Sequence, residues 1–375
     1  MVPGPHAPTG ASPVRPRHLW TAIAVVVALL VTVLVAGAQV RIPYFSIAPG
    51  EARDIAPLIA VDGVDTYEAG DILFLTISLN HVTLLEGALG WADRDVDVIP
   101  EAVILGTGTE DENRQVNRLA MDSSKDAAQV VALTRLGYEL NPTGTGAVIT
   151  EISAGTPAEA VLQIGETLTA VDGQPVLLPA DLGALITDRQ PGDVVVLTIE
   201  TLDDATGQFT ERQEQVSLVR CGDIPSCLEG RPDEPDSALL GVASQPRNFD
   251  PGLPFAVGID SGDVGGPSAG LAFTLSLLDV LTPGDLTGGH RIAVTGTIRT
   301  DGTVGDVGGV VQKAAAAADS GADVMLVPRG EEAEALANPH GMQIIAVDDL
   351  DDALRALESV GGAPLPEGAR PAPAA

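Results

Sequence analysis

The sequence predicts a mixed α/β domain toward the C-terminus, a smaller β-rich domain before it, and one membrane-spanning helix near the N-terminus. Apolar strands and helical patterns alternate after residue 290, which is typical of a mixed α/β domain. Before them, short strands are separated by Gly, Pro and Asp turns. Near the N-terminus, 22 consecutive residues carry no charge.

The uncharged run Leu19–Val40 is long enough to cross a bilayer. As a helix it would span ~33 Å at a rise of 1.5 Å per residue. Basic residues precede the run and a long acidic portion follows it, so the positive-inside rule predicts a cytoplasmic N-terminus. Ala36–Ala38 resembles a signal-peptidase site, but the run exceeds the roughly 7–15 apolar residues of a signal peptide. We therefore expect an uncleaved single-pass anchor in the cell membrane, with the bulk of the chain outside the cytoplasm.

Composition excludes several classes of function. A formal charge of −32 argues against a nucleic-acid surface, and aromatic residues make up only 3% of the chain, too few for base stacking. The sequence contains no G-x-x-x-x-G-K-[ST] segment to hold nucleotide phosphates. It also has no His, Cys or Asp cluster with metal-ligand spacing. No nucleic acid, metal or cofactor is predicted.

Changes in pattern divide the chain into seven segments. We expect a disordered cytoplasmic start, a transmembrane helix, an extracytoplasmic region, a β-rich domain, a linker, a mixed α/β domain and a disordered tail. The corresponding boundaries are 1–18, 19–40, 41–134, 135–220, 221–236, 237–360 and 361–375.

A serine lies where a Gly-rich turn meets an apolar helix. Gly266-Pro-Ser-Ala-Gly270 precedes a run with leucines at roughly helical spacing, so the helix is predicted to begin near Ser268. Backbone N–H groups in the first turn of a helix have no intrahelical partner and suit an oxyanion. An ordinary helix start, with Ser268 as the N-cap, is the alternative.

Lysine usage points to a possible base for this serine. Of the 20 basic residues only Lys125 and Lys313 are lysines. A desolvated lysine can lose its proton near neutral pH, whereas arginine cannot. Lys313 follows Gly308-Gly309 and precedes five alanines, so it is expected about one turn inside a closely packed helix. Lys125 lies in a polar stretch and is interpreted as a surface residue.

Three motifs in this region resemble the proteolytic domain of the Lon family. They are Gly266–Gly270, Thr295-Gly296 and the segment ending Gly308-Gly-Val-Val-Gln-Lys313. The resemblance covers about residues 240–360 and implies Ser268 as nucleophile, Lys313 as general base and Thr295 as a supporting hydroxyl. The sequence departs from the family pattern at Thr297, where glutamate is usual, and at Asp263-Val-Gly before the Gly-Pro-Ser segment.

The β-rich segment looks like a PDZ domain. The segments that carry this resemblance are Gly155–Ala158, Ile164–Gly173, Asp181–Ile186 and Pro191–Val195. The resemblance implies that the loop Leu136, Gly137 and Tyr138 receives a peptide carboxylate through its backbone N–H groups. Such a domain binds an extended peptide at a sheet edge. A β-rich domain with a blocked groove remains the alternative.

The two cysteines, Cys221 and Cys227, are close in sequence. In a cytosolic protein this spacing could indicate metal or redox chemistry, but no second Cys pair or His accompanies it. A structural disulfide is the better interpretation if the segment lies outside the cytoplasm.

Together these features predict a membrane-anchored, ATP-independent serine endopeptidase with a Ser/Lys dyad, of the bacterial PDZ-containing type without an ATPase domain. The PDZ-like domain would recruit peptide or protein substrates through their C-termini or restrain their access to the site, and a homo-oligomer is one of the expected states. Two alternatives stand beside it. One is a non-catalytic membrane-anchored PDZ scaffold. The other is an α/β-hydrolase triad completed by His290 or His340, although a poor strand precedes its G-x-S-x-G segment.

Overall fold

The structure is a computed structural model that describes residues 16–106, 109–203, 208–224, 227, 234–366, 368 and 370–372. The disorder predicted for residues 1–15 lies outside the described residues, as do parts of the predicted linker and tail.

Nine helices and eighteen strands occur in these described ranges. The helices are α1 (Pro16–Gly37), α2 (Leu84–Gly90), α3 (Glu101–Leu105), α4 (Glu110–Arg135), α5 (Pro179–Thr187), α6 (Gly270–Leu281), α7 (Val310–Asp319), α8 (Glu332–Ala337) and α9 (Leu350–Ser359). The strands are β1 (Arg41–Asp54), β2 (Ile59–Asp62), β3 (Ile72–Thr83), β4 (Asp97–Pro100), β5 (Ala147–Ile152), β6 (Thr167–Val171), β7 (Gln174–Pro175), β8 (Val194–Asp203), β9 (Gln208–Ser217), β10 (Val219–Arg220), β11 (Ala238–Leu239), β12 (Val242–Pro246), β13 (Ala256–Ile259), β14 (Ile292–Val294), β15 (Thr297–Ile298), β16 (Val304–Gly305), β17 (Val324–Pro328) and β18 (Gln343–Val347).

The main domain is built around a six-stranded mixed sheet in the order β18-β17-β14-β3-β1-β4. Three of these strands come from the C-terminal part of the chain and three from residues 41–100. They meet where β14 pairs in parallel with β3, Ile292 opposite Ile72. The predicted separation of residues 41–134 from the C-terminal domain is therefore wrong, because both segments share one sheet.

Helices cover both faces of this sheet. Ile292 and Val294 pack into the core formed with α4, α6 and α9, whereas Ala293 faces the core under α7. This division follows from the alternation of side chains along a strand. On the α4–α6 face, the rings of Phe74 and Phe273 lie 5.7 Å apart. The predicted mixed α/β architecture is confirmed.

The β-rich domain is an insertion between α4 and β13. Its sheet has the order β12-β5-β6-β8-β9, and its core is separate from that of the main domain. The segment that enters the insertion and the segment that leaves it lie side by side, since Thr143 and Asp250 exchange backbone hydrogen bonds of 2.8 and 2.9 Å. Both predicted boundaries need correction. The insertion begins near Thr143 rather than at residue 135, and it includes β12, which had been placed in the α/β domain.

The segment predicted to be a linker begins with a disulfide between Cys221 and Cys227. Cys221 is fully buried and its N–H donates to the carbonyl of Ser237 at 3.0 Å. The beginning of this segment is therefore held against the inserted domain.

Both ends of the described chain differ from expectation. Helix α1 begins at Pro16, within the segment predicted to be disordered, and its portion Trp20–Gly37 is long and apolar enough to span a membrane. At the other end, described residues of the predicted tail pack on the main domain. The carbonyl of Ala372 accepts from the N–H of Asp65 at 2.8 Å, and the guanidinium of Arg370 lies 4.9 Å from the ring of Tyr138.

Candidate active site

Ser268 lies in the turn that leads into α6, which begins two residues later at Gly270. Its side chain is half-buried and caps no helix, since no side-chain hydrogen bond is present at the N-cap position, Ala269. The geometry therefore gives no support to the interpretation of Ser268 as a structural N-cap.

Helix α4 holds the turn in place. The carbonyl of Asn117 accepts from Gly266 N–H at 2.7 Å, and Ser124 Oγ donates to the carbonyl of Pro267 at 2.9 Å. Gly265 lies so close to the helix that a Cβ there would approach Asn117 Cβ to 2.9 Å. A glycine at this position permits the approach, and the position of Ser268 depends on it.

Lys313 is buried in the first turns of α7. Gly309, just before the helix, has φ +70°, and a Cβ there would meet Ile77 at 2.9 Å, so glycine is required. Lys313 is 2% exposed, and its Nζ donates to Thr295 Oγ1 at 3.2 Å. Burial lowers the pKa of Lys313 to about 8 from 10.5, and the nearby Glu331 partly opposes this shift. A substantial fraction of Lys313 is neutral at slightly alkaline pH.

Thr295 connects the lysine to the serine segment. It is fully buried, and while its Oγ1 accepts from Lys313 it also donates to the carbonyl of Ser268 at 3.4 Å. Gly296 N–H donates to the same carbonyl at 2.9 Å. The side chains of Ser268 and Lys313 line one cleft, but the hydrogen bonds of the described residues include none between Ser268 Oγ and Lys313 Nζ.

The backbone beside Ser268 offers free donors. Among the hydrogen bonds of the described residues, neither the Ser268 nor the Ala269 N–H acts as donor. Two adjacent N–H groups just before a helix can stabilise negative charge on an oxygen.

The cleft has a volume of about 980 Å³. One wall is α4 together with the serine turn, and another is the middle of β3. The segment 306–308 and Lys313 also line the cleft. The side chains that line it include apolar groups from β1 and β3 and both polar and apolar groups from α4: Phe45, Phe74, Leu79, Asn113, Arg118 and Met121. The space and the mixed lining suit an extended peptide.

Glu331 was not foreseen as part of this region. One of its carboxylate oxygens accepts from Val307 N–H at 3.1 Å, and the other is buried with no partner among the described residues. Burial raises the pKa of Glu331 to about 7, with Asp306 adding to the effect and Lys313 opposing it. Nothing in the sequence distinguishes Glu331 from the other acidic residues, because its burial depends on how β17 meets α8.

The predicted peptide-carboxylate loop does not lie in the inserted domain. Leu136 is fully buried in the core of the main domain, where the apolar stripe of α4 extends beyond the end of the helix. Gly137 offers its carbonyl to Arg370, and Tyr138 packs edge-on against Phe255 at 5.7 Å. None of these three residues belongs to a strand of the inserted domain. In the inserted domain, the edge strand next to α5 is β12, which among the described strands pairs only with β5.

Other candidates fall away from the cleft. His290 and His340 do not line it, and they lie near Asp323 and Asp95 at 3.6 and 3.5 Å. Lys125 is half-buried rather than exposed, and its Nζ lies 3.4 Å from Asp122. Within the described ranges, no group of three or more His, Cys, Asp or Glu residues could hold a metal ion.

Fold and site together define a mixed α/β domain with a serine and a buried lysine on one cleft. Residues 258–358 match the family model of the Lon protease (S16) C-terminal proteolytic domain. Lon protease 2 of Bacillus subtilis (strain 168) is 30% identical over 131 residues, which cover 34% of this chain and 22% of that protein. Lon protease of Campylobacter concisus (strain 13826) is 37% identical over 95 residues, covering 24% and 12%. Residues 258–358 of the chain are thus similar to the proteolytic domain of Lon proteases. The chain matches only about a fifth or less of the length of these relatives.

Solved structures similar to the chain include PDZ domains. The PDZ domain of the SdrC-like protein of Listeria monocytogenes is 18% identical and covers 27% of this chain and 87% of that chain, with a TM-score of 0.21. The corresponding domain from Listeria innocua is 16% identical and covers 26% and 92%, also with a TM-score of 0.21.

Proposed function

We propose that this protein is a membrane-anchored serine endopeptidase in which Ser268 is the nucleophile and Lys313 the general base. The burial of Lys313 carries the proposal. A lysine that is 2% exposed and has a pKa of about 8 is costly to keep in a fold, and it lies on the cleft with the Ser268 turn.

The chemistry requires a neutral lysine. Ser268 Oγ attacks the peptide carbonyl while Lys313 Nζ takes its proton, and the protonated lysine then passes that proton to the leaving amine. Water, deprotonated by the same lysine, hydrolyses the resulting ester and regenerates Ser268. Thr295 Oγ1, 3.2 Å from Nζ, keeps the amine oriented.

The N–H groups of Ser268 and Ala269 would receive the oxyanion, which is supported by the lack of any acceptor for them among the described residues. Such donors favour the tetrahedral intermediate over the planar substrate, and each contributes on the order of 3 kcal/mol to the lowering of the barrier.

The remaining parts of the proposal concern how substrates reach the cleft. Helix α1 would anchor the chain, with the N-terminus in the cytoplasm. The inserted domain would bind substrate tails in the manner of a PDZ domain. Since the 375 residues contain no phosphate-binding loop, we propose cleavage without ATP, on segments that are already extended.

A fluorophosphonate probe on the full chain tests the nucleophile and the base. We expect mass spectrometry to locate the label on Ser268, and Ser268→Ala to abolish it. Lys313→Arg keeps the charge but cannot accept a proton, so labelling should slow by about 100-fold or more. Lys125→Arg is the matched control and should label normally. Normal labelling of Lys313→Arg would overturn the assignment of the base.

A non-catalytic scaffold is the alternative. It predicts no fluorophosphonate labelling at Ser268 and no cleavage of an unstructured peptide. The scaffold has no use for a buried lysine beside a serine turn, which is why we favour the peptidase.

A further inference from the structure

Helix α2 leaves large apolar side chains uncovered. Leu84, Leu89 and Trp91 are 51%, 63% and 62% exposed. Leu84 and Trp91 are seven residues apart, two turns along the helix, and so lie on one side of it. Leu89, five residues after Leu84, lies about 140° around the helix from it. The apolar surface that these three residues leave exposed is called the α2 patch. The ring of Trp91 packs edge-on against Tyr44, with the ring centroids 6.2 Å apart.

The patch is fixed to the end of the apolar helix α1. Gly37, the last residue of α1, is buried, and a Cβ there would lie 3.6 Å from Leu85 Cβ. Three residues later, the Val40 carbonyl accepts from Leu84 N–H at 2.9 Å. The portion Trp20–Gly37 spans 18 residues, or ~27 Å, close to the thickness of a bilayer core. If α1 crosses the membrane, α2 therefore lies at the level of the lipid headgroups.

We propose that the α2 patch inserts into the interface of the lipid bilayer, which thereby covers Leu84, Leu89 and Trp91. The inference rests on the anchoring role proposed for α1. Tryptophan beside leucine is a side-chain combination favoured at this depth. Charged residues around the patch are more acidic than basic, with Glu86, Asp93 and Asp95 against Arg41 and Arg94. The surface that covers the patch is thus a zwitterionic lipid bilayer. The apolar side chains insert into it, and attraction to anionic lipid does not drive the binding.

This placement brings the cleft close to the membrane. Arg41 pairs with Thr83 at the end of the sheet next to α1. Leu79, which lines the cleft, is four residues further along β3, or roughly 13 Å at the rise of a strand. A sheet that is held at the lipid surface by the α2 patch presents its cleft to peptide segments just outside the bilayer. The substrate class is therefore a juxtamembrane segment in extended conformation.

The chain offers a direct test because its two tryptophans are Trp20 and Trp91. In the full chain with Trp20→Phe, Trp91 is the sole tryptophan. We expect its fluorescence in phosphatidylcholine proteoliposomes to be quenched by lipids brominated near the headgroup end of the acyl chain, and less by lipids brominated near the tail. Acrylamide dissolved in the water should quench Trp91 in the proteoliposomes more slowly than it quenches the tryptophan of a short reference peptide that is free of lipid and detergent. Quenching by acrylamide at the reference rate, without lipid quenching, would overturn the proposal.

A second single-tryptophan chain is the control. Trp20→Phe, Trp91→Phe and Phe209→Trp together place the reporter at an exposed position of the inserted domain, where Phe209 is 55% exposed. This reporter should respond to acrylamide and not to brominated lipid. Equal lipid quenching of both reporters would mean non-specific adsorption and would also overturn the proposal.

Alkaline extraction separates this inference from the anchor on which it rests. A chain that stays in the vesicles with Trp91 unquenched by lipid would retain the anchor and refute the α2 patch. A chain that is extracted would refute the anchor and the patch together. Shielding of Trp91 that depends on protein concentration and not on lipid would assign the patch to a second copy of the chain, against the proposal.

Discussion

At the scale of single residues, the burial of Lys313 should be visible in stability as well as in activity. Its pKa is about 8 in the fold against 10.5 for an exposed lysine, so the unfolded chain binds more protons between these values. The free energy of unfolding therefore rises as the pH increases from 8 to 10.5. Below pH 8, burial of the lysine lowers the free energy of unfolding by its full amount. A shift of this size corresponds to ~3 kcal/mol.

Lys313→Met removes this cost while it fills similar space. We expect the variant to be inactive yet more stable than the parent at pH 7, by up to ~3 kcal/mol in the free energy of unfolding. The advantage should shrink as the pH rises from 8 to 10.5, because the lysine is already neutral in the fold and becomes neutral in the unfolded chain as well. Denaturant unfolding at pH 7 and pH 10 measures it, and an advantage that does not change with pH would contradict the burial of a titrating amine.

Glu331 should tune the pH at which the base becomes neutral. Its carboxylate favours the protonated form of Lys313, so Glu331→Gln should lower the pKa of the lysine from about 8. Glutamine keeps an acceptor for Val307 N–H, which preserves the loop. The acidic limb of the fluorophosphonate labelling rate should then move to lower pH.

The same variant distinguishes tuning from simple support. A residue that only holds the loop would change the rate at every pH and leave the midpoint of the profile in place. Glu334→Gln, which also carries charge near this region but is exposed, serves as the control and should leave the midpoint unchanged.

The residues proposed for catalysis could be named from the sequence more readily than their surroundings. Ser268, Thr295 and Lys313 could be named because each lies in a short motif whose spacing is visible locally. Glu331 could not, because the sequence contains 52 acidic residues and only the folded packing separates a buried one from a solvated one. Resemblance to a PDZ loop assigned Leu136, Gly137 and Tyr138 to the β-rich domain. In the structure, the apolar stripe of α4 continues through Leu136 into the core of the main domain.

At the scale of elements, α4 is the part that positions the serine turn. A Cβ at Gly265 would lie 2.9 Å from Asn117 Cβ and 3.2 Å from its carbonyl carbon, so backbone must move to admit it. We expect Gly265→Ala to cost about 1–3 kcal/mol of stability and to slow labelling of Ser268, because the turn is pushed off the helix.

A glycine elsewhere provides the comparison. Gly183 in α5 has open space around an added Cβ and an unexceptional φ, so Gly183→Ala should be neutral or slightly stabilising by a few tenths of a kcal/mol to about 1 kcal/mol. Thermal unfolding and the labelling rate report both effects. Labelling of Gly265→Ala at the rate of the parent would show that the turn does not depend on this close approach.

Local pattern predicted many elements and missed how they assemble. A strand was expected at Gly70–Ser78 and β3 is found at Ile72–Thr83. Its parallel partner β14 lies 220 residues later, Ile72 opposite Ile292. No periodicity within a strand specifies a neighbour so distant in sequence, so the N-terminal region was wrongly separated from the domain whose sheet it completes.

At the scale of the whole molecule, the inserted domain interrupts the main domain in sequence, but the two flanking segments still fold into one domain. The chain leaves after α4 and returns at β13, and both crossings lie side by side. Besides the pair Thr143 and Asp250, Gly252 lies against Asn141, where a Cβ would approach the Asn141 carbonyl to 2.9 Å. The connection is also close to the site, because Ser123 on α4 donates to Gln245 of β12 at 3.4 Å.

This arrangement allows the inserted domain to be excised cleanly. Replacing residues 143–250 with a short Gly-Ser linker spans a gap that the native chain already closes, so the main domain should keep its sheet and its cleft. If the inserted domain captures substrate tails, it raises their local concentration to about the millimolar range when geometry permits. Excision should then raise KM for a tailed protein substrate by roughly 10-fold or more and leave kcat/KM for a short unstructured peptide nearly unchanged.

An inserted domain that acts as a lid gives the opposite pattern. Its removal would then open the cleft and increase kcat/KM for every substrate, the short peptide included. Steady-state kinetics on both substrates, with the excised and the parent chain in the same membranes, separate the two roles. The Cys221–Cys227 disulfide leaves with the insertion, so a parent chain carrying Cys221→Ser and Cys227→Ser is the matched control. If that control reproduces the rise in KM, the effect belongs to the disulfide and not to tethering, whereas parent-like kinetics assign it to capture by the inserted domain.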